Sequence, residues 1–425
     1  MSTQKITMWQ ATAIGLGNII GAGIFVLAGT VIYQSGPGAI IAFILTAILA
    51  ATVALNSAEL SSKIITHGGL YSFVKVTMGD SIGFIVGWLR AISYSIAASA
   101  VALGFSSYLL SIFNISSNNM VILISVIMIL IITSIDYIGL KLVARIEQFL
   151  VFITVGGLVA FIIFSLIYGS WNASRFTPLI PNGPMSIVES ASLAFFAYSG
   201  FNTIATLTPE VEDGAINVPK AIIIALTMST VLYILVVAGM LSLMPWQKYG
   251  ITADPLANAL NYVHSPPIIE MVISIVAIVA TITVTISLIV AGSRTLLQMS
   301  EDGLFPKWIG GLSGDSPKRS VLIIGAVTIF SLFLGNLQYI ALASNFGVIF
   351  SYSLTGLAVI ILRKRKVKGP FQSPLYPTIQ ILSVILSAVV MFALGTQALY
   401  IGMVLILTGI IIYTLQKEKI IPINA

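Results

Sequence analysis

Long apolar stretches separated by short polar breaks run along the whole chain. We identify twelve, at residues 9–32, 37–62, 81–110, 120–138, 143–168, 187–211, 220–244, 268–297, 319–335, 338–362, 377–394 and 397–415. Most approach or exceed the roughly 20 residues that an α-helix needs to cross the hydrocarbon of a bilayer. The pattern predicts an all-α integral membrane protein with twelve transmembrane helices.

The composition argues against a soluble or membrane-bound enzyme. Of the 425 residues, 58% are hydrophobic and only 8% are charged, whereas soluble domains carry about 25% charged residues. A membrane enzyme would need a nucleophile with a base, or a cluster of metal ligands, at membrane depth. Cysteine is absent, and His67 and His264 fall in predicted loops. We therefore expect neither an enzyme nor a metal site.

The basic residues predict the orientation of the chain. If the N terminus is cytoplasmic, only Arg175 and Lys248 fall in outer loops, Arg90 and Arg294 lie in or near spans, and every other Lys and Arg falls inside. This asymmetry is typical of a multi-pass protein of the cytoplasmic membrane with both termini inside. The basic run at 363–368 is most simply an anchor at anionic lipid, so no nucleic-acid partner is expected despite the net charge of +6.

Glycine residues interrupt the first apolar span. Gly17 and Gly21 form a GxxxG pattern, which is typical of a close contact between two helices. A second interpretation is that Gly21, Ala22 and Gly23 unwind the helix. The exposed N–H groups would then lie at the positive end of a half-helix and could bind a carboxylate. The residues alone leave both interpretations open.

The sixth span carries a comparable interruption. Gly200 lies between the aromatic residues Tyr198 and Phe201 and is followed closely by Asn202. Two glycine-interrupted spans that are five spans apart are expected when a five-helix unit is repeated in inverted orientation.

The sequence resembles the amino acid, polyamine and organocation transporter superfamily, especially prokaryotic permeases related to cationic amino acid transporters. The matching strings are IIGAGIFVLAG at 19–29, AEL at 58–60, GGLYSFVKVTMGDSIGFIVGW at 68–88, FFAYSGFN at 195–202, PEVEDGAINVPKAI at 209–222 and SRTLLQMSEDGLFPKW at 293–308. They cover nearly the whole chain in the right order.

The resemblance implies one transporter domain over residues 1–425 with the inverted-repeat leucine-transporter fold. The first five-helix repeat would occupy 9–168, the second 187–362, and two additional helices 377–415. The implied function is secondary active transport of amino acids by alternating access; an exchanger or a non-transporting sensor on the same fold are the alternatives. The expected partners are an amino acid substrate and the lipid bilayer, and the protein would be a monomer or a homodimer.

The resemblance also implies a substrate site at the two interruptions. Its residues would be Ile19, Gly21, Ala22, Gly23, Phe196, Ala197 and Ser199. The amides of the glycine segment would bind the substrate carboxylate, and the carbonyl oxygens of Ile19, Phe196 and Ser199 would bind its ammonium group. Phe196 also occupies the position of an aromatic gate.

The third and tenth spans would complete the pocket for the substrate side chain. Their contributions would be Ser93, Tyr94, Ala97 and Ala98, together with the segment 345–351. No acidic residue lies at mid-depth there to hold a second positive charge. We therefore expect a small or medium neutral amino acid as substrate.

No cofactor is expected apart from a coupling ion, which is a proton or sodium. Proton-coupled relatives place a buried lysine where this chain has Thr154 and an acid-like residue where it has Asn202, and neither replacement titrates near pH 7. A sodium site is the alternative, with oxygen ligands from Gly17, Ile20, Ala280, Thr283 and Thr154. The competing interpretation is that the threonines of the eighth span bond the carbonyls of their own helix.

A few ionisable residues remain. Burial of Arg90 within the third span would cost about 2.5–3.5 kcal/mol, so its side chain should face protein or water. Glu59, Glu210 and Glu212 lie near predicted inner ends of helices. We expect them to contact inner-face Lys and Arg residues, with a proton relay as the alternative.

Overall fold

The structure is a computed structural model. It describes residues 5–21, 23–66, 68–138, 141–311 and 316–417, with backbone alone for 141–149; Ala22 and His67 lie outside the described residues. Its helices are α1 (Met8–Ile19), α2 (Ala28–Ser35), α3 (Ala39–Lys63), α4 (Gly69–Met78), α5 (Asp80–Ile112), α6 (Asn118–Ile138), α7 (Lys141–Tyr168), α8 (Pro184–Tyr198), α9 (Thr203–Thr206), α10 (Gly214–Leu243), α11 (Pro255–Tyr262), α12 (Pro267–Glu301), α13 (Lys307–Gly310), α14 (Lys318–Ser331), α15 (Leu337–Lys364), α16 (Thr378–Phe392) and α17 (Thr396–Lys417).

Helices occupy all twelve segments in which the apolar pattern predicts them. Within the described residues, eight helical stretches are long and apolar enough to cross a membrane, one of which takes α1, α2 and α3 together. Helices α8, α14 and α16 have only 14 or 15 residues, fewer than the roughly 20 needed to cross the hydrocarbon alone. The described part of the chain consists of helices joined by loops and turns, and its β-structure is limited to one isolated bridge between Ile6 and Val211.

The apolar pattern did not predict α4 or α11, because each is shorter than a membrane crossing. Helix α4 ends at Gly79, whose φ of 91° lies in a region that side chains other than glycine rarely adopt. Helix α11 begins with Pro255, whose fixed φ suits the first turn of a helix.

Helix α5 forms the centre of the packing. It contacts α12 along much of its length and also packs against α15, α6 and α14. Its buried positions include Ser93, Ala97, Ala98 and Gly104. Small residues allow helix backbones to approach closely, and in lipid this packing replaces the hydrophobic driving force.

A buried ion-pair network joins α3 to α15 and to the segment before α16. Glu59 is fully buried and accepts hydrogen bonds from Lys63 at 2.5 Å, from Arg363 at 2.7 and 2.8 Å, and from the backbone N–H of Ser373 at 2.8 Å. The predicted contact of Glu59 with inner-face cations is therefore confirmed. The interpretation of the basic run at 363–368 as a lipid anchor is wrong for Arg363, because its side chain pairs with Glu59 within the protein.

Candidate functional site

The first span is interrupted where the glycine string predicted it. Helix α1 ends at Ile19, and the backbone N–H of Ile20 still donates to Leu16 at 2.7 Å. The N–H of Gly21 instead turns back to the carbonyl oxygen of Ile19, at 3.0 Å. A π-helical turn, Gly23–Leu27, then leads into α2. The predicted unwinding is therefore observed at the described residues of the string.

The sixth span is interrupted in the same way. Helix α8 ends at Tyr198, a turn follows over 199–202, and the short helix α9 begins at Thr203. The N–H of Ser199 makes a long bond of 3.4 Å to the carbonyl oxygen of Phe196. Two helix ends and two helix starts therefore lie within apolar spans.

The two interruptions lie directly against each other. A Cβ atom at Gly23 would lie 2.1 Å from the Cα of Ala197, and one at Gly200 would lie 2.0 Å from the carbonyl oxygen of Asn18. Each glycine thus removes the one atom that would keep the two backbones apart. The Asn18 side chain also donates a hydrogen bond of 2.7 Å to the Thr203 hydroxyl.

The alternative interpretation of the first glycine string also finds support. A Cβ at Gly17 would lie 2.3 Å from the side chain of Val151 in α7, and one at Gly21 would lie 2.1 Å from that of Val284 in α12. The same string thus packs closely on neighbouring helices and breaks the first one.

The hydroxyl groups of two tyrosines hydrogen-bond backbone carbonyls of the interrupted segments. The Tyr233 hydroxyl contacts the carbonyl oxygens of Ile19 and Ala197, at 2.6 and 3.0 Å, and the Tyr352 hydroxyl donates to that of Ser199 at 2.8 Å. Of the carbonyls expected to bind an ammonium group, that of Ile19 therefore already accepts two bonds, from the Tyr233 hydroxyl and from the Gly21 N–H. That of Ser199 accepts the bond from Tyr352, which leaves it a second lone pair. Sequence reasoning missed both tyrosines, and a buried hydroxyl's need for an acceptor was the available signal.

Two cavities meet beside the interruptions. The smaller, of about 30 Å³, is lined by Asn18, Ile19, Gly21, Gly23, Arg90, Ser93, Tyr94, Ala97, Phe196, Ser199, Gly200, Thr203, Val284, Ser287, Leu288, Ala291, Ser344 and Val348. The larger, of about 560 Å³, extends to Glu210, Gln298 and Glu301, and it shares six lining residues with the smaller one: Asn18, Arg90, Tyr94, Thr203, Ser287 and Ala291. Five of the predicted substrate residues line the smaller cavity, whereas Ala197 packs behind it on Gly23.

The side-chain pocket differs in part from the expectation. Ser93, Tyr94 and Ala97 line the smaller cavity, but Ala98 lies in a separate apolar cluster. The Asn345 amide donates to the carbonyl oxygen of Ser192 at 2.7 Å. On α15 the lining residues are Val348, which lies within the expected segment 345–351, and Ser344, immediately before it.

Arg90 lies where the two cavities meet. Its side chain is 3% exposed, so the expectation that it faces protein or water is confirmed. The guanidinium carbon lies 4.4 Å from the ring centre of Tyr94, whose hydroxyl it also hydrogen-bonds, and 5.7 Å from that of Tyr352. The Nη1 atom has no hydrogen-bond partner among the described residues.

The residues of the predicted cation site lie on three helices that pack against one another, α1, α7 and α12. The hydroxyls of Thr283 and Thr154 donate to carbonyls of their own helices, at 3.0 Å each. Ala280 is buried beside Thr283, and Ile20 is buried at the end of α1. Threonine hydroxyls that donate in this way keep lone pairs for another partner, so the arrangement is compatible with either interpretation.

The acidic end of the sixth span is held by the N-terminal segment. The backbone of Ile6 pairs with Glu210 at 2.9 Å and with Glu212 at 3.0 Å. Within the described residues, no group of three or more His, Cys, Asp and Glu side chains is placed to hold a metal ion.

Comparison with known proteins identifies the family. The family model for amino acid permeases matches residues 6–415. The methylthioribose transporter of Bacillus subtilis (strain 168) is 32% identical over 98% of this chain and 94% of its own length. The branched-chain amino acid permease BcaP of the same organism is 28% identical over 99% and 94%, respectively.

A plant relative extends the comparison. The vacuolar cationic amino acid transporter 4 of Arabidopsis thaliana is 25% identical over 85% of this chain and 63% of its own length. All three relatives carry the names of transporters or permeases, and the expected resemblance is confirmed. The chain belongs to the amino acid permease family of the amino acid, polyamine and organocation transporter superfamily.

Proposed function

We propose that this permease is a secondary active transporter that moves small or medium neutral amino acids across the cytoplasmic membrane by alternating access. One observation carries the proposal. Two interrupted spans lie against each other at Gly23 and Ala197 and at Gly200 and Asn18, beside a cavity. Interrupted helices at membrane depth are typical of the substrate sites of secondary transporters.

The proposed architecture has twelve crossings, with inverted repeats at 9–168 and 187–362, two further helices at 377–415, and both termini in the cytoplasm. The short helices α8, α14 and α16 would complete the count together with their flanking turns. The larger cavity extends toward Glu210 and Glu301, which lie at predicted cytoplasmic ends. The structure would then represent an inward-facing state, and a monomer or a homodimer is compatible with it.

In the proposed site, the segment 21–23 binds the substrate carboxylate, and the carbonyl oxygens of Ile19, Phe196 and Ser199 bind its ammonium group. The polarity of helix ends supports this assignment, because N-terminal ends attract anions and carbonyl ends attract cations. Phe196 lines the smaller cavity and is proposed as the gate.

The lining of the smaller cavity supports a neutral side chain. Its described residues include one cation, Arg90, and no carboxylate. A lysine or arginine substrate would therefore meet repulsion without a compensating anion. The names of two relatives suggest which substrates to compare, since one is named for branched-chain amino acids and the other for methylthioribose.

The test is uptake by the purified protein in proteoliposomes. A panel of labelled amino acids with neutral, acidic and basic side chains, together with methylthioribose, is offered with an imposed proton gradient, an imposed sodium gradient or neither. We expect concentrative uptake of a neutral amino acid. Uptake of methylthioribose alone would contradict the proposed substrate.

The alternatives give different results in a counterflow experiment. An exchanger moves labelled substrate only against unlabelled substrate on the opposite side, without response to either gradient. A sensor binds amino acid and exchanges nothing. Substitution of Thr283 by valine tests the sodium site, because only a sodium-coupled carrier would lose its gradient response.

A further inference from the structure

Arg90 is a buried cation that the proposed site leaves without a role. Among the described residues that line the smaller cavity, Arg90 is the one that carries a positive charge, and it also lines the larger cavity. Only 3% of its surface is exposed. An arginine within the membrane is costly, so it persists where it has a partner or a function.

The described surroundings of Arg90 supply no negative charge. Its contacts are the neutral rings of Tyr94 and Tyr352, and no carboxylate of the described residues lies within ion-pair distance of it. The other deeply buried charges are paired, as with Glu59 and Arg363 at 2.7 Å. Arg90 is thus a buried cation whose Nη1 donors lack a partner in the described part of the chain.

The position of Arg90 indicates which anion would pair with it. The guanidinium shares the small cavity with Gly21 and Gly23, where the substrate carboxylate is proposed to bind. The Gly21 amide is directed to the carbonyl oxygen of Ile19 in this structure, at 3.0 Å, so the glycine segment offers fewer free donors than the motif implies. A planar guanidinium fork matches a carboxylate with two parallel hydrogen bonds.

We propose that Arg90 is a ligand of the substrate carboxylate, acting with the amides of the glycine segment. This inference rests on the proposed function, because it assigns a residue to the same substrate. In the inward-facing state, Arg90 holds the carboxylate at the junction of the two cavities while the substrate passes between them. Its charge also repels substrates with cationic side chains.

The experiment removes the Arg90 guanidinium and the substrate carboxylate separately. Inhibition of labelled-leucine exchange by leucine and by leucinamide is measured in proteoliposomes for the wild type, Arg90→Gln and Arg90→Lys. Leucinamide keeps the amine and the side chain but lacks the carboxylate. Arg319→Gln is the matched control, because Arg319 is exposed and contacts only the carbonyl of Trp308 among the described residues, at 2.8 Å.

We expect Arg90→Gln to weaken inhibition by leucine at least about 30-fold, while leucinamide changes little. Arg90→Lys should keep part of the preference for leucine, since it retains the charge but loses the fork. Arg319→Gln should behave as wild type. Inhibition by lysine should be weak in the wild type and stronger in Arg90→Gln.

Three results would overturn the inference. Equal losses for leucine and leucinamide would mean that Arg90 only supports the structure. An unchanged preference in Arg90→Gln would mean that the glycine amides suffice. Loss of leucine exchange after replacement of chloride with gluconate in the wild type, but not in Arg90→Gln, would assign Arg90 to an inorganic anion. If the wild type exchanges none of the amino acids in the uptake panel, the proposed function itself fails.

Discussion

The hydroxyl group of Tyr233 lies 2.6 Å from the carbonyl oxygen of Ile19, the residue at which the first helix ends. The same hydroxyl contacts the carbonyl oxygen of Ala197 in the sixth span at 3.0 Å. One buried side chain of α10 thus connects both interrupted segments. The carbonyls that lose their regular helical N–H partners at the interruptions are in this way partly satisfied by protein groups.

Replacement of Tyr233 by phenylalanine should loosen both segments. Two buried carbonyl oxygens would lose a partner, which costs about 1–3 kcal/mol of stability. We expect the apparent affinity for substrate to fall about tenfold, because substrate binding must then also order the loosened segments, which reduces the net binding free energy. Uptake kinetics and the thermal unfolding midpoint in detergent measure the two effects.

Tyr249→Phe is the matched control for this substitution. Tyr249 is also buried, and its hydroxyl donates to the carbonyl oxygen of Met240 at 2.7 Å, away from the interruptions. It should lose stability but keep its affinity for substrate. An equal loss of affinity in both variants would show that Tyr233 has no special relation to the site.

Gly23→Val should abolish uptake. The Cβ atom would lie 2.1 Å from the Cα of Ala197, and a backbone atom cannot move aside as a flexible side chain can. The two interrupted segments must then separate, which displaces the proposed carboxylate site. Membrane insertion, measured by immunoblotting of washed membranes, should persist, because the remaining apolar spans are unchanged.

Gly156→Val controls for the loss of a glycine within an apolar helix. Gly156 is exposed on α7, and a Cβ there would meet nothing within 4 Å. This variant should transport as the wild type does. Wild-type transport by Gly23→Val would rule out the proposed carboxylate site.

The sequence predicted the helical segments and both interruptions, but only part of the site. Glycines within an apolar span indicate a weak point of the helix at their own position. The breaks beside Gly21 and Gly200 could therefore be located from neighbouring residues alone. Tyr233 and Tyr352 could not, because each lies in an apolar helix far along the chain from the carbonyl it contacts. The sequence shows that Arg90 is an unusual charge within a span, but its place between two cavities depends on how α5 packs.

Glu59→Gln should destabilise the fold more than it affects the substrate site. The substitution leaves the cations of Lys63 and Arg363 without their buried counter-charge, which costs about 3–5 kcal/mol. The thermal unfolding midpoint should fall clearly. Lys75→Met breaks the partly exposed pair with Asp302, at 2.9 Å, and should cost about 1 kcal/mol or less.

A charge-conserving variant separates stability from a proton relay at Glu59. Glu59→Asp keeps the negative charge but shortens the side chain, so it should recover part of the lost stability. If Glu59→Gln instead kept the wild-type unfolding midpoint and lost only its response to a proton gradient, the network would have a coupling role.

Asp254 makes the stability of the loop before α11 depend on pH. Burial raises the pKa of its carboxyl group above the ordinary value of 3.8, although Ser111 and Asn258 oppose the shift by hydrogen bonding. The folded state therefore holds the proton more tightly than the unfolded chain does. The stabilisation is fully present below the ordinary pKa and is lost as pH rises through the raised one. Asp254→Asn, which mimics the protonated form, should unfold at a higher temperature than wild type at about pH 8 and at nearly the same temperature at about pH 4. A gap between the two midpoints that widens toward low pH would contradict the raised pKa.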